Sequence, residues 1–414
     1  VERELWDQEK MKMVKNKEMK VKEIYLDNAA TTRVYSEVAD EVRRLMIDGY
    51  GNSSSLHSVG RDAGVELKKA REKIAGFVGS PLDSLRHRTG QGDIVFTSGG
   101  TESNNLALKG LALANPEKKH IVTSVIEHPS IWGVCKDLEK DGCEVDYVGV
   151  GSDGVVSVSD VEKLIRDDTL VVSVMHVNNE IGTVQPVEEI GEVCKKKGCY
   201  FHTDAVQGFG KVGLDISNVD LMSVSGHKIG APKGVGFLYV RKGTEISALM
   251  SGGGQEGGLR SGTENVAGIV GLAAALDVKV DAKKIEESRD KIIDGLLKIP
   301  GTKINGSMGE RVYNNINVSF YGIEGEGLML MLDGDGICVS TGSACASTKL
   351  EESYVLRAIG VDEMYIHGSI RMSLGKDVVG QEDFIVGKIT EAVGKLREIS
   401  PFKLGGKDEK EKDN

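Results

Sequence analysis

Between residues 93 and 240, short apolar runs alternate with helical patterns of roughly ten residues, and nothing else in the chain constrains its fold as much. Asp93–Thr97, His120–Val125, Glu144–Val148, Leu170–Met175, Cys199–Thr203, Val219–Val224 and Val235–Val240 read as strands. Leu106–Ala114, Ser130–Lys140, Val158–Arg166 and Val187–Lys197 read as helices between them. A strand that returns to a parallel neighbour needs such a crossover. The expected class is therefore α/β, with a large, mostly parallel, seven-stranded-type sheet covered by helices on both faces.

The flanking segments add a second layer. Ser58 is placed to cap a helix with Ala63, Leu67, Ala70, Ile74 and Phe77 on one face. Beyond the glycine-rich loop Gly252–Gly258, helices are expected over Glu264–Val280 and Ala282–Lys298. Short strands (Val312–Val318, Ile337–Val339, Ser369–Ser373) and helices (Gly325–Leu332, Tyr354–Ile359, Glu382–Leu396) then suggest a smaller α/β domain. The expected division is a charged extension 1–22, a large domain 23–265, a small domain 266–400 and a charged tail 401–414, with 23–35 packing on the small domain. A cysteine-bearing loop, 340–349, belongs to the small domain.

In open parallel sheets ligands bind beyond the carboxyl ends of the strands. Four such ends here carry polar sets: Glu127-His128-Pro129, His176-Val177-Asn178-Asn179-Glu180, Asp204-Ala205-Val206-Gln207 and Ser225-Gly226-His227-Lys228. One polar residue at a strand end is ordinarily a helix cap. Four sets at one edge are better explained by one site. A fifth end, Ser98-Gly99-Gly100-Thr101, runs from a strand into a helix N-terminus and makes an anion seat, although it is neither a Walker A nor a Gly-x-Gly-x-x-Gly sequence.

Lys228 lies among small residues between two strands, where an amine can be desolvated and form a Schiff base with a carbonyl. Taken alone, a Gly-His-Lys run is more often a solvated turn. With Lys228 as the carbonyl-trapping amine, the rest suits pyridoxal phosphate: a phosphate seat, and Asp204 as a carboxylate opposite the pyridine nitrogen. Ser225 and His227 could donate to the phosphate, Gln207 to the ring hydroxyl, and His128 could stack on the ring. Each has a plainer reading, Asp204 as a cap and His128 as a core histidine. Arg371, a charge inside the strand pattern Ser369–Ser373, is suited to a substrate carboxylate or else to a surface edge. Cys345 sits in Ser340-Thr341-Gly342-Ser343-Ala344-Cys345-Ala346-Ser347-Thr348-Lys349, small and polar surroundings that favour a travelling nucleophile over a structural thiol.

Composition excludes several classes. The balance of 52 basic and 63 acidic residues, −11 overall, argues against a nucleic-acid partner reached through a basic face. The six cysteines do not resemble a disulfide framework, and Cys194-x4-Cys199 is not expected to hold a metal. Val1–Lys22 shows no secretory pattern, and no run of 18 apolar residues predicts a membrane span. The expected compartment is a reducing cytoplasm.

Assembled in order, these motifs resemble the NifS/IscS-type cysteine desulfurases of the class V aminotransferase group. The resemblance rests on Tyr25–Thr32, Thr97–Asn105, Glu127-His128, Val177–Gly182, Thr203–Gln207, Ser225–Lys228, Arg260–Thr263 and Gly342–Cys345, and it spans nearly the whole chain between the tails. It implies an aspartate aminotransferase-like fold and pyridoxal 5'-phosphate on Lys228, with Asp204 at the ring nitrogen, Gln207 at the ring oxygen and His128 stacked on the ring. Lys228 and His128 would be catalytic, Lys228 moving the Cα proton and His128 shuttling protons at the substrate thiol. Gly100, Thr101, Ser225 and His227 would hold the phosphate, joined by Thr263 from the partner subunit of a homodimer. Asn179 would serve both cofactor and substrate, and Arg371, Asn179 and Asn28 would bind L-cysteine. Cys345 would accept the sulfur as a persulfide, releasing L-alanine, and would pass it to an iron–sulfur scaffold or a tRNA-thiolation enzyme. It would also be placed to help ligate a transient iron–sulfur cluster with a partner. Two departures stand out: Thr341 replaces a serine in the cysteine loop, and Leu82–Gly92 is longer than usual. Two rivals share most motifs: a selenocysteine lyase or other class V enzyme, and a non-catalytic sulfur-relay scaffold.

Overall fold

The computed structural model describes residues 23–79, 92–341 and 352–402. Cys345 with most of its loop, all of the Leu82–Gly92 segment but its last residue, the extension 1–22 and residues 403–414 of the tail lie outside the described residues. The chain opens with β1 (Ile24–Tyr25), α1 (Ser36–Ile47) and α2 (Ser58–Val78). The alternating region follows as β2 (Gly92–Thr97), α3 (Gly100–Ala114), β3 (His120–Ser124), α4 (Pro129–Lys140), β4 (Glu144–Val148) and α5 (Val158–Leu164). It continues through β5 (Thr169–Ser173), α6 (Val187–Lys197), β6 (Tyr200–Asp204), β7 (Leu221–Ser225) and β8 (Gly236–Arg241). The remainder comprises α7 (Val266–Ala275), α8 (Ala282–Leu296), β9 (Thr302–Ile304), β10 (Asn315–Phe320), α9 (Gly325–Gly334) and β11 (Ile337–Cys338). Last come α10 (Tyr354–Ala358), α11 (Glu363–Ile366), β12 (Ser369–Ser373) and α12 (Glu382–Ile399).

Seven strands form the large sheet in the order β2-β8-β7-β6-β5-β3-β4. Only β8 runs antiparallel to its neighbours, and the other pairings are parallel, as the alternation predicts. Both faces are covered, so successive residues alternate between two cores. Val171, Leu221 and Leu238 pack beneath α3 and α4. Val172, Met222 and Phe237 pack beneath α2, α6 and α7. Burial on both faces is the reason these strands read as continuous apolar runs. No helix among the described residues is long and apolar enough to cross a membrane.

Four expectations are corrected. The cap of α2 is His57, whose Nδ1 accepts from Gly60 N–H, and Ser58 is already helical. Phe77 is half exposed at 50%, because the buried stripe of α2 ends on Ile74, Ala75 and Val78, and its ring instead lies edge-on to Phe209. Helix α3 starts at Gly100 rather than Leu106. Its apolar periodicity begins late, but nothing in Thr101–Asn105 prevents a helix, so the glycine turn is the helix's own first turn. Helix α7 does not leave the large domain: Ile269, Leu272 and Ala273 lie in the core it shares with α1 and α2, which places residues past 266 in the large layer.

The second layer is an antiparallel sheet, β12-β10-β9, packed with α8, α9 and α12. Ile24 and Leu26 belong to its core, and β1 pairs in parallel with β11. The next residues, 27–32, cross from this layer to the edge of the large sheet. That crossing positions the site.

Candidate active site

The carboxyl ends of β3, β5, β6 and β7 open on one edge, and β2 ends there too because β8 is antiparallel to both β2 and β7. Asp204, the last residue of β6, is 5% exposed. Its Oδ2 accepts from Asn104 Nδ2 at 2.7 Å and its Oδ1 from Val206 N at 3.0 Å, so the carboxylate is held on both oxygens. Lys228 ends a single 3-10 turn after β7, and its Nζ donates to Ala29 O at 2.5 Å and Ala30 O at 2.7 Å. Gln207 Nε2 reaches the same Ala29 O at 2.8 Å. His227 Nδ1 lies 3.2 Å from Thr31 Oγ1, and its carbonyl accepts from Thr32 N and Oγ1, each at 2.8 Å. Burial, with Lys228, Lys233 and Lys211 adding to it, pushes His227 down to about 4, so its imidazole is neutral at pH 7.

The anion seat is built by glycine. Gly99 has φ 152° and ψ −174°, a conformation open essentially to glycine, and caps α3 without a side-chain hydrogen bond. A Cβ on Gly99 would lie 3.4 Å from Ser225 Oγ, and one on Gly100 only 2.6 Å from Val206 Cγ2. Gly236, paired with both Thr97 and Ser225, closes the set: a Cβ there would lie 2.4 Å from Val224 O and 2.7 Å from Gly99 Cα. Thr101 is exposed on the first turn. Thr263 is also exposed, on the loop that Arg260 ties to Glu102 at 2.8 Å.

His128 caps α4, and burial holds its imidazole below the usual histidine value, opposed by Asp204 and assisted by Lys228. Arg371 on β12 is 3% exposed; its Nη2 meets Asp27 Oδ1 at 2.8 Å and its Nη1 donates to Asn179 O at 3.1 Å. Among the described residues, two buried atoms at this point have no hydrogen-bond partner, Arg371 Nε and Asn179 Oδ1. Asn28 instead ties the crossing segment to β12, donating to Ser373 O at 2.8 Å. Ser340, just before the cysteine loop, exchanges backbone bonds with Arg371, and Ser353, just after it, donates to Glu180 Oε2 at 2.5 Å.

Several residues at this edge have no role assigned from sequence. Asp27 and the carbonyls of Ala29 and Ala30 looked like an extended loop, and backbone acceptors leave no residue-type signal. Asn104 lay within a recognised motif but carried no role. Lys211 follows Gln207 by one helical turn's spacing; its Nζ stands 3.4 Å from Gln207 Oε1, and burial, then the amine of Lys228, pushes it down to about 7. Glu127 is fully buried between Ser124 Oγ and Met175 N, and burial raises its carboxyl to about 8.

The aminotransferase class-V family matches residues 24–382. The cysteine desulfurase IscS of Methanosarcina thermophila is 47% identical over 392 residues, covering 92% of this chain and 94% of that protein. A solved NifS-like protein superimposes with a TM-score of 0.82 at 40% identity, covering 90% of this chain and 100% of its own. The structure described as SspA in complex with cysteine has a TM-score of 0.75 at 37% identity and covers 85% of this chain and 98% of its own. The chain therefore belongs to the class-V aminotransferase family, among the cysteine desulfurases of the NifS and IscS type.

Proposed function

We propose that this chain is a pyridoxal phosphate-dependent cysteine desulfurase, converting L-cysteine to L-alanine and carrying the sulfur away as a persulfide on Cys345. The donor set fits the cofactor. The uncapped first turn of α3 with Gly99 and Gly100 faces Ser225, suiting a phosphate, and Asp204 stands fixed at the same edge as the Lys228 amine. Bound there, the cofactor supplies an aldehyde that captures amines and a ring that takes up an electron pair.

The protein's own groups do the rest. Gly100, Thr101, Ser225 and His227 would hold the phosphate, and Gln207 would reach the ring oxygen. Asp204 would keep the ring nitrogen protonated, and His128 would cover the ring face, with Asn179 serving both cofactor and substrate. Arg371 takes the substrate carboxylate with Asn179, a role that answers the two unpartnered buried atoms, Arg371 Nε and Asn179 Oδ1. Lys228 moves the Cα proton. The Cys345 thiolate attacks the substrate sulfur; the S–S bond forms as the C–S bond breaks, and the electron pair of that bond stays with the carbon skeleton that leaves as L-alanine. The observation that carries this reading is where the cysteine loop is anchored: Ser340 pairs with Arg371, and Ser353 with Glu180, next to Asn179. The described residues on either side of the cysteine loop, Ser340 and Ser353, are thereby held beside the carboxylate site.

A homodimer completes the site, with Thr263 contributed across the interface. Its exposure, and the exposed Met46 at the end of α1 with Tyr50 and Leu56 between α1 and α2, support that assembly. The sulfur passes to an iron–sulfur scaffold or a tRNA-thiolation enzyme. The test is L-alanine release from L-cysteine by the native enzyme and by Cys345→Ala. Alanine from the native protein alone supports the reading. Alanine from both removes Cys345 from the chemistry and favours a lyase. Alanine from neither, with cofactor bound, overturns the substrate.

A further inference from the structure

Asn104, fully buried in α3, bridges two residues of the site that do not touch each other. Its Nδ2 donates to Asp204 Oδ2 at 2.7 Å and to Ser130 Oγ at 2.8 Å, which uses both amide hydrogens. The carboxylate fixes the orientation of the amide, because a reversed Asn104 would turn its oxygen toward Asp204. Ser130 Oγ is in turn 2.8 Å from His128 Nδ1, and Ser130 N–H donates to that same Nδ1 at 3.1 Å. A backbone N–H donates only to a lone pair, so Nδ1 carries no proton. The Ser130 hydroxyl must therefore give its own hydrogen to Nδ1 while accepting from Asn104. Every hydrogen bond from Asp204 to His128 is thereby directed, while Asn104 Oδ1 has no partner among the described residues, and the remaining imidazole proton sits on Nε2.

We infer that Asn104 and Ser130 are positioning residues that fix the tautomer of His128, so that His128 meets the substrate as an Nε2–H donor and not as a base at that nitrogen. The inference deepens the proposed function, because it relies on His128 facing the substrate. The assignment fits the electrostatics around the ring. Asp204 from β6 favours an imidazolium, Lys228 from the turn after β7 opposes it, and burial opposes it further. Protonating Nδ1 would also leave the Ser130 N–H without an acceptor and force its hydroxyl to turn. At the sulfur step an Nε2–H can donate a hydrogen bond to the substrate sulfur, whereas abstraction of the substrate thiol proton has to fall to another group.

Nitrogen-15 NMR of histidine-labelled, cofactor-free protein tests this, with His128 assigned by its loss in His128→Gln. The expected result is an unprotonated Nδ1 and a protonated Nε2 at neutral pH. Removing the hydroxyl donor in Ser130→Ala is expected to raise the His128 titration midpoint by about half to one pH unit, roughly a 3- to 10-fold change in proton affinity, the size of one hydrogen bond. Ser130→Thr, which keeps the hydroxyl, should restore the native midpoint. Asn104→Ala should move it the same way as Ser130→Ala, and Ser130→Ala keeps the question answerable if the buried Asn104 variant does not fold. A protonated Nδ1 in the native protein, or a midpoint unmoved in Ser130→Ala, overturns the inference. Cofactor capture is read separately, as a visible absorption band that depends on Lys228. Its absence from the native protein would overturn the proposed function while leaving the tautomer result standing.

Discussion

Glu127 and His128 are adjacent in sequence, and burial drives both toward neutrality. The Glu127 carboxyl is raised to about 8 by burial, with Asp204 adding to it, and its Oε2 has no partner. Glu180, bonded to Ser353, is raised to about 7 by the same cause, against the pull of Arg371. For an acid whose folded pKa lies above its ordinary 4.5, the folded state keeps a proton that the unfolded chain releases. The stability it contributes is complete below that value and is lost as the pH rises to about 8. We expect thermal unfolding to show native stability falling between pH 5 and 8 by up to about 1 kcal/mol per pH unit from this group. Glu127→Gln should flatten most of that slope and leave the part due to Glu180. A variant that follows the native curve throughout would show that Glu127 is ionised in the folded state. His202 and His176 oppose this trend at the acid end: burial lowers them to about 3 and about 4, so the stability they contribute is lost as the pH falls below the ordinary histidine value.

At the scale of elements, the anion seat exists because three backbone strands meet with no side chain between them. Gly236 allows β8 to pass between Gly99 and the end of β7. Gly236→Ala would place a methyl against backbone atoms on both sides, so the strand ends must part. The expected cost is about 1–3 kcal/mol, read from the urea midpoint, together with weaker cofactor capture as Gly99 and Gly100 are pushed off Ser225 and Val206. Gly133→Ala in α4 is the matched control: a Cβ there meets nothing within 4 Å, and a helix gains up to about 1 kcal/mol from the exchange. Equal effects of the two substitutions would mean that close approach is not what the glycine at 236 provides. Periodicity identified most of these elements, because an apolar stripe at spacing 3.6 or a doubly buried run is a local signal. It placed the start of α3 six residues late, since the first turn of that helix is polar and faces the site.

At the scale of the molecule, one short crossing links the two layers and the chemistry. Leu26 is fully buried in the core of the small layer and Asp27 pairs with Arg371 on β12 of that layer, while Ala29, Ala30, Thr31 and Thr32 reach Gln207, Lys228 and His227 on the large sheet's edge. Leu26→Ala should cost about 2–5 kcal/mol through the cavity it leaves. It should also raise amide exchange at residues 27–32 and weaken cofactor capture, although Leu26 touches no site residue named here. Amide exchange at 27–32 unchanged from native would show that the crossing is held by its own hydrogen bonds and not by its anchor.

The sequence by itself determined the seven strands, the side of the sheet on which the site lies and the residue types gathered there, because burial on two faces and polar strand ends are written in neighbouring residues. Lys228, Asp204, His128 and Arg371 were legible for that reason: each is a polar group where the local pattern calls for an apolar one or a turn. Only the tertiary structure decided that α7 packs in the large core, that Asp27 pairs with Arg371 across 344 residues, and that Asn104 reaches Asp204 across 100. A hydrogen bond between distant segments follows no period. Its partners become recognisable only when the chain has folded and each buried donor must find an acceptor.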